Sequence, residues 1–169
     1  QEAMGGQATL TLRSGGAIAQ ASSLTVTNNA DLITEGASIT LNAAGNAFGS
    51  VGADTTYNLA AANTVTINEA NATVISGIAA TSATVTSGGA ISQTGAVDAS
   101  ANSIFTASGD INLTNTANDF ADTGSGSTAA FSGVTVNVTD ADTLALGAVI
   151  STASTTITAD DAGASGNFS

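Results

Sequence analysis

Apolar residues alternate with Thr, Ser or Asn in short runs along the whole chain. A period of two, carried by β-branched residues, is typical of strands that bury one face. Clusters of Gly, Asn, Asp and Ser separate these runs and are typical of turns. No stretch shows the sustained spacing of an amphipathic helix. The pattern predicts an all-β chain with strands at residues 9–12, 24–27, 39–42, 65–68, 84–86, 111–114, 134–139 and 156–158.

One phrase of seven positions occurs twice. It reads SGGAIAQ at residues 14–20 and SGGAISQ at residues 87–93, so that six of the seven positions agree. The stretches that follow each copy also match at nearly the same offset. The chain therefore contains an internal repeat with a period of about 72 residues, present slightly more than twice. Matching segments are 37–42 with 109–114, 46–48 with 118–120, and 65–71 with 136–142.

A unit built only of short strands and turns can bury its apolar face by stacking coil on coil. Coils of about 18–24 residues would give three or four coils per unit and about seven to nine in all. We therefore predict a parallel β-helix, or β-solenoid, made of two super-repeats. Its core is predicted to contain Leu10, Leu12, Ile18, Leu24, Val26, Ile39, Leu41, Val65, Ile67, Val85, Ile91, Ile111, Leu113, Val136, Val138, Leu144, Leu146 and Ile157, with Phe48 and Phe120 in equivalent places.

Two smaller expectations follow from stacked coils. The paired glycines of the repeated phrase should lie at a corner that needs a positive φ or a close approach of two backbones. Asn residues in turns should bond to Asn of the neighbouring coil, as in stacked amide ladders. The domain prediction is a disordered lead-in or tag remnant at residues 1–6, one β-helix at 7–160, and an irregular tail or the start of a next coil at 161–169.

Composition narrows the possible partners. The chain has 169 residues, thirteen carboxylates, no Lys and a single Arg, which gives a net charge of −12. Nucleic-acid phosphates need Lys and Arg, so we predict no nucleic-acid partner. The charge also disfavours anionic membranes, and no run of about 18 apolar residues predicts insertion. The absence of Cys removes disulfides and thiol chemistry.

The repeat resembles a known group of proteins. Residues 88–93 (GGAISQ), 109–120 (GDINLTNTANDF) and 134–149 (VTVNVTDADTLALGAV) resemble the repeats of filamentous-haemagglutinin-type exoproteins of two-partner secretion. The resemblance covers roughly residues 8–160. It implies a right-handed parallel β-helix that is exported across the outer membrane of a Gram-negative-type bacterium and held at or released from the cell surface. It implies no catalytic residues.

Carboxylate pairs are candidate catalytic groups, because many β-helices cleave polysaccharides. Asp140 with Asp142, and Asp160 with Asp161, are the candidate pairs for glycoside hydrolysis. The first pair repeats the position of Glu69 and Asn71 one unit earlier, which favours a solvated turn. A lyase would need a cationic group, for which only Arg13 is present. We therefore predict no catalytic residues and no enzyme activity.

Calcium and ice remain as candidate ligands. Asp119, Asp122, Asp140 and Asp142 are the candidate ligands for an adventitious Ca²⁺, although the known calcium-binding repeat motifs are absent. No other cofactor is predicted. Pairs of Thr two positions apart occur at 25/27, 64/66, 84/86 and 156/158 and could order water if they formed one array. The N-x-[ST] sequences at Asn71, Asn112, Asn137 and Asn167 are candidate glycosylation sites.

The function predicted from the sequence is structural. We expect a non-enzymatic shaft segment of a large adhesin that is secreted or displayed at the cell surface. Its partners would be neighbouring repeats or other copies joined end to end, with a host or bacterial surface glycan or protein left unidentified. The alternatives are a subunit of a self-assembling extracellular filament, and a β-helix that binds or degrades polysaccharide.

Overall fold

The computed structural model describes residues 9–54, 63–121 and 126–159. The predicted lead-in and tail lie outside these residues. The described residues form strands and turns without any helix, and therefore without a helix that could cross a membrane. The strands are β1 (Leu10–Ser14), β2 (Ile18–Ala19), β3 (Thr25–Thr34), β4 (Ile39–Leu41), β5 (Ala47–Asp54), β6 (Thr64–Glu69), β7 (Thr73–Ala80), β8 (Ser82–Ser87), β9 (Ile91–Gln93), β10 (Val97–Ala99), β11 (Ser103–Ala107), β12 (Ile111–Leu113), β13 (Asp119–Phe120), β14 (Ala129–Asp140) and β15 (Leu146–Ala159).

Every strand pairing is parallel, and each strand pairs with one from a neighbouring coil. The pairings form three columns, which the chain visits in a fixed order. The first column contains β1, the second halves of β3, β5 and β7, then β10 and β13. The second column contains β2, β4, β6, β8, β11 and the first halves of β14 and β15. The third contains the first residues of β3, β5 and β7, then β9, β12 and the second halves of β14 and β15.

The predicted parallel β-solenoid is confirmed, with about seven coils. The second column is crossed seven times, at Ile18, Ile39, Val65, Ala83, Ser103, Ala129 and Leu146. The steps from Ile39 to Val65 and from Ser103 to Ala129 are longer than the sequence predicted, and the step from Ala129 to Leu146 is shorter. The strands of the second column stay paired although the coils differ in length.

The repeat unit does not contain a whole number of coils. Ile39 lies in the second column, whereas its repeat partner Ile111 lies in the third. Phe48 lies in the third column, and its partner Phe120 lies in the first. Each unit thus advances the chain by three coils and one further column. Equivalent residues of the two units therefore occupy successive columns.

Nearly all the predicted core residues lie inside the coils. Most of them, with Phe48 and Phe120, are buried, and Leu10, Ile18, Leu24, Leu146 and Ile157 are half-buried against the core. The prediction for Leu12 is wrong, because β1 lies on the outermost described coil and the side chain is 38% exposed. Rings of Phe105 and Phe131 stack with centroids 5.7 Å apart, and Phe120 meets both edge-on. Such geometries add about 0.5–1.5 kcal/mol per pair beyond burial.

A bond between Asn residues of neighbouring coils forms on two paired strands. Asn137 Nδ2 donates to Asn112 Oδ1 over 2.9 Å, and the two residues are partners in the β12–β14 ladder. A strand places these side chains in direct register, whereas turns of unequal length do not.

The repeated phrase forms a corner, as predicted, and a close approach of two backbones explains the glycines of its second copy. Neither Gly88 nor Gly89 has a positive φ. A Cβ on Gly88 would lie 2.1 Å from Ala70 O, and one on Gly89 would lie 2.8 Å from Ala72 N. Ser87 Oγ fixes the corner by donating to Asn71 O over 2.8 Å. The backbones of successive corners therefore stack in direct contact.

We expect Gly88→Ala to lower the free energy of unfolding by about 1–3 kcal/mol, because a methyl group there overlaps the backbone of the preceding coil. The matched control is Gly15→Ala in the first copy of the phrase, where the nearest atom to the new Cβ is Glu35 Oε2 at 3.7 Å. Urea unfolding followed by circular dichroism measures both. Equal losses in the two variants would contradict the close-approach account.

Candidate functional site

The final Gln of the repeated phrase belongs to an amide pair in which the Gln is half-buried and its Asn partner is buried. Gln93 Nε2 donates to Asn118 Oδ1 over 2.8 Å, and Asn118 Nδ2 donates back to Gln93 Oε1 over 3.0 Å. Gln20 and Asn46 form the same reciprocal pair, with both distances 2.8 Å. Asn46 and Asn118 are fully buried. One such pair therefore occurs in each unit, joining two neighbouring coils from inside.

The Asn of each pair also reaches the following coil. Asn118 Oδ1 accepts from Val97 N–H over 2.9 Å, and Asn118 Nδ2 lies 3.1 Å from Leu113 O and 3.0 Å from Thr139 O. Because Val97, Asn118 and Thr139 lie on three successive coils, one amide fixes the register of all three. The equivalent contacts of Asn46 are 3.0 Å to Leu24 N, 3.1 Å to Leu41 O and 2.9 Å to Asn68 O.

A buried carboxylate stands beside each amide pair. Phe120 N–H donates to Asp140 Oδ1 over 2.8 Å, and Phe48 N–H donates to Glu69 Oε1 over 2.7 Å. Asp140 is fully buried and Glu69 is 1% exposed. The prediction of a solvated turn is wrong for both, although Asp142 and Asn71 beside them are exposed. The alternating strand directs one residue of each pair inward.

Burial raises the pKa of both carboxyl groups. The pKa of Asp140 rises from 3.8 to about 6 because burial penalises the charged form. The N–H of Phe120 opposes this shift, and the charges of Asp142 and Asp119 add to it. Asp140 Oδ2 has no hydrogen-bond partner among the described residues. Burial likewise raises the pKa of Glu69. These groups act as buried acceptors for backbone N–H groups.

Three of the four candidate calcium ligands lie among the described residues. Asp140 is buried against Phe120 N, Asp142 is exposed, and Asp119 is half-buried in β13. Asp122 and the Asp160–Asp161 pair lie outside the described residues. Within residues 9–54, 63–121 and 126–159, no group of three or more acidic side chains could hold a metal ion. Adventitious Ca²⁺ binding stays a prediction.

The Thr pairs do not form one array. Residues 64–66 and 84–86 lie in the second column, whereas residues 25–26 and 156–158 lie in the third. In the second column the row from Thr66 through Thr84 continues to Ile104, which is 45% exposed. A flat surface of ordered hydroxyl groups is therefore interrupted within two coils.

A shallow trough of about 370 Å³ crosses the outer side of the first column. Its floor consists of small residues, because the outward positions on successive coils carry almost no side chain. A register shift between Val51 and Gly52 accompanies a bulge at Ser76, where Gly77 has a φ of 152°. Carboxylates stand at its two ends. Its lining includes Asp31, Gly52, Gly77, Ala79, Ala96 and Asp98.

The comparison with known protein families agrees with the repeat. The family described as repeats of unknown function (DUF5649) matches residues 3–55 and 62–127. The chain belongs to this family. The two matches end at positions 55 and 127, which is the same separation as that of the internal repeat. No curated protein and no solved structure matches the chain.

The sequence shows that Gln20 and Gln93, and Asn46 and Asn118, are identical between units, but the sequence analysis predicted no pairing between them. The available signal was that Gln20, Asn46 and their partners stay the same between units while nearby polar residues change. Polar residues that repeat without change are candidates for interior hydrogen bonds. The trough left no such signal, because it depends on which outward positions share a column.

We expect Asn118→Ala to lower the free energy of unfolding by about 3–5 kcal/mol, since it leaves several buried polar groups without partners. Asn115→Ala is the matched control, because that side chain makes one exposed bond, from Ala117 N–H. The expected loss there is below about 1 kcal/mol. Urea unfolding measures both, and similar losses would contradict the interior role of Asn118.

We expect the melting temperature to rise by at least about 3 °C when the pH is lowered from about 7.5 to about 5. The pKa of Asp140 is raised in the folded state, so its stability contribution is fully present below 3.8 and is lost as the pH rises through about 6. Asp140→Asn keeps an acceptor for Phe120 N–H and should remove much of this dependence. Glu35→Gln, at an exposed carboxylate that does not contribute to this shift, is the control for lost surface charge, and an equal effect of both variants would contradict the assignment.

Proposed function

We propose that this chain is a rigid, non-enzymatic shaft segment of a large bacterial adhesin that is secreted or displayed at the outer cell surface. The observation that carries the proposal is which positions the repeat preserves. Several side chains that are identical between units lie inside, as Asn46 and Asn118 or Phe48 and Phe120 do. Several outward positions differ, as in Arg13 against Thr86 and Asp31 against Ile104. The repeat thus maintains the coil stack and not a repeated ligand site.

The resemblance to filamentous-haemagglutinin-type repeats supports an extracellular location. A solenoid whose coils contact only their neighbours can be lengthened without changing its cross-section. Its acidic surface, with one basic side chain, would keep neighbouring shafts apart by charge repulsion. The shaft would hold an adhesive part of the same polypeptide away from the cell.

We expect duplication of residues 82–153 in the native protein to lengthen the shaft by about 16 Å, from three and one-third coils spaced about 4.8 Å apart. Electron microscopy of the purified protein measures the length. An antibody against residues 9–159 should label intact cells without permeabilisation. An unchanged length, or labelling only after permeabilisation, would contradict the proposal.

A self-assembling filament is the second candidate, favoured by the last described coil. Strand β15 pairs only with β14 among the described residues, and its inward residues Val149 and Ile157 are only half-buried. Such an edge can template pairing with another copy. A sedimentation coefficient that rises with protein concentration would support the filament. A constant value would exclude it and leave the shaft.

A further inference from the structure

Exposed isoleucines lie close together on the outer face of the second column. Ile104 of β11 and Ile150 of β15 are 45% and 59% exposed, the highest values among the large apolar side chains of the described residues. Ile104 pairs with Ala130, and Ile150 pairs with Ser132, so the two isoleucines flank strand β14 on the coils before and after it. Val134 of β14 is a further exposed apolar residue beside them. Exposed apolar side chains that lie together are typical of an interaction surface.

Coil stacking does not account for these isoleucines. Ile104 lies between two buried residues of its strand and therefore points outward. Its partner in the preceding coil is Thr84, so a hydroxyl residue is sufficient in the same outward row. A further coil stacked on β15 would flank Ile150 but would not cover a side chain on the outer surface. Both isoleucines are therefore available to another molecule.

Two outward rows form the face of the second column, and neither row contains a charged residue. One row runs through Thr40, Thr66, Thr84, Ile104 and Ala130, and the other through Asn68, Thr86, Thr106, Ser132 and Ile150. The acidic strand residues Asp31, Asp54, Asp98 and Asp119 belong to the first column. Although the chain carries a net charge of −12, two copies can meet at this uncharged face with little direct repulsion.

The two rows are complementary to each other. A two-fold axis parallel to the solenoid and midway between the rows would lay each row of one copy on the other row of the second copy, coil on coil. Ile104 would then meet Thr106 of the equivalent coil. Ile150 would meet the small residues Gly147 and Ala148 of β15. The Thr and Asn residues of the earlier coils would meet one another as hydrogen-bond partners, so the face has the self-complementarity that a two-fold interface requires.

We propose that the second-column face is a self-association surface, on which a second copy of this chain packs side by side with its solenoid parallel to the first. β-sheets pack face to face about 10 Å apart with interdigitating side chains. Seven coils and about four residues per strand give a face of about 30 Å by about 13 Å, or roughly 400 Å² per copy. Stable complexes bury about 800 Å² per partner, so chains of this length should pair weakly. The pairing does not depend on where the shaft is displayed.

Sedimentation velocity of the full chain tests the pairing from low micromolar to millimolar concentration. We expect a monomer that converts to a dimer and to no larger species. Added salt should strengthen the dimer, because screening lowers the long-range repulsion between two acidic copies. A chain that stays monomeric over this range would overturn the proposal. So would growth beyond the dimer that Ala130→Glu leaves unchanged, since that result would assign the association to the ends of the solenoid.

Two matched pairs of variants locate the interface. Ala130→Glu places a carboxylate within the face and should weaken the dimer at least about 10-fold. Thr114→Glu adds the same charge at an exposed position after β12 and should leave the dimer unchanged. Ile150→Thr removes exposed apolar surface and should weaken the dimer at least about 5-fold. Val74→Thr makes the corresponding change at an outward position of the third column and should have no effect, and equal effects within either pair would contradict the assignment.

Cross-linking tests the arrangement of the two copies and stays informative even if one of these variants does not fold. The chain contains no Cys, so a single introduced Cys reports one position. In the side-by-side dimer Thr86→Cys and Ser132→Cys each lie opposite the same coil of the second copy, and a short bismaleimide should join each to itself. Thr114→Cys, outside the face, is the control. The proposal fails unless both face positions give more cross-linked dimer than the control, with the fold of each variant confirmed by circular dichroism.

Discussion

The reciprocal bond between a half-buried Gln and a buried Asn is the interaction on which the coil stack depends. A coil of about 20 residues has no core of its own, and parallel strands with a period-two pattern can slip along one another. An interior amide removes that freedom, because its donors and acceptors are satisfied only in one register. Asn118 meets Val97 on the coil before it and Thr139 on the coil after it, so a slip on either side would leave buried polar groups unpaired.

Each repeat unit advances the chain by three coils and one column, so equivalent residues of the two units lie on different sides of the solenoid. The buried Phe beside each amide pair lies in the third column in one unit, at Phe48, and in the first column in the other, at Phe120. Outward residues are then free to vary from one column to the next. Such a solenoid keeps an interior cluster, as at Asn46 and Asn118, while residues on its outer surface differ between units.

Much of the fold could be predicted from the sequence, because period-two alternation and a long internal repeat are local and countable signals. The predicted core positions are confirmed apart from Leu12 at the outermost described coil, but the prediction missed other buried residues, among them Leu32, Val51, Ile75 and Val97. The burial of Glu69 and Asp140 could not be predicted, since their acidic character suggested a solvated turn. Only the partner coil supplies the N–H groups that hold them inside. The trough also escaped prediction, because Gly52 and Gly77 become neighbours only through the ladder register.

A double-mutant cycle between Gln93 and Asn118 tests the central claim most directly. The free energy of unfolding would be measured in urea for the wild type, Gln93→Ala, Asn118→Ala and the double variant. If the reciprocal amide pair locks the register, the two losses are coupled by about 1–3 kcal/mol, and the double variant loses less than the sum of the single losses. Losses that add within about 0.5 kcal/mol would show that the two side chains act independently and would contradict the account.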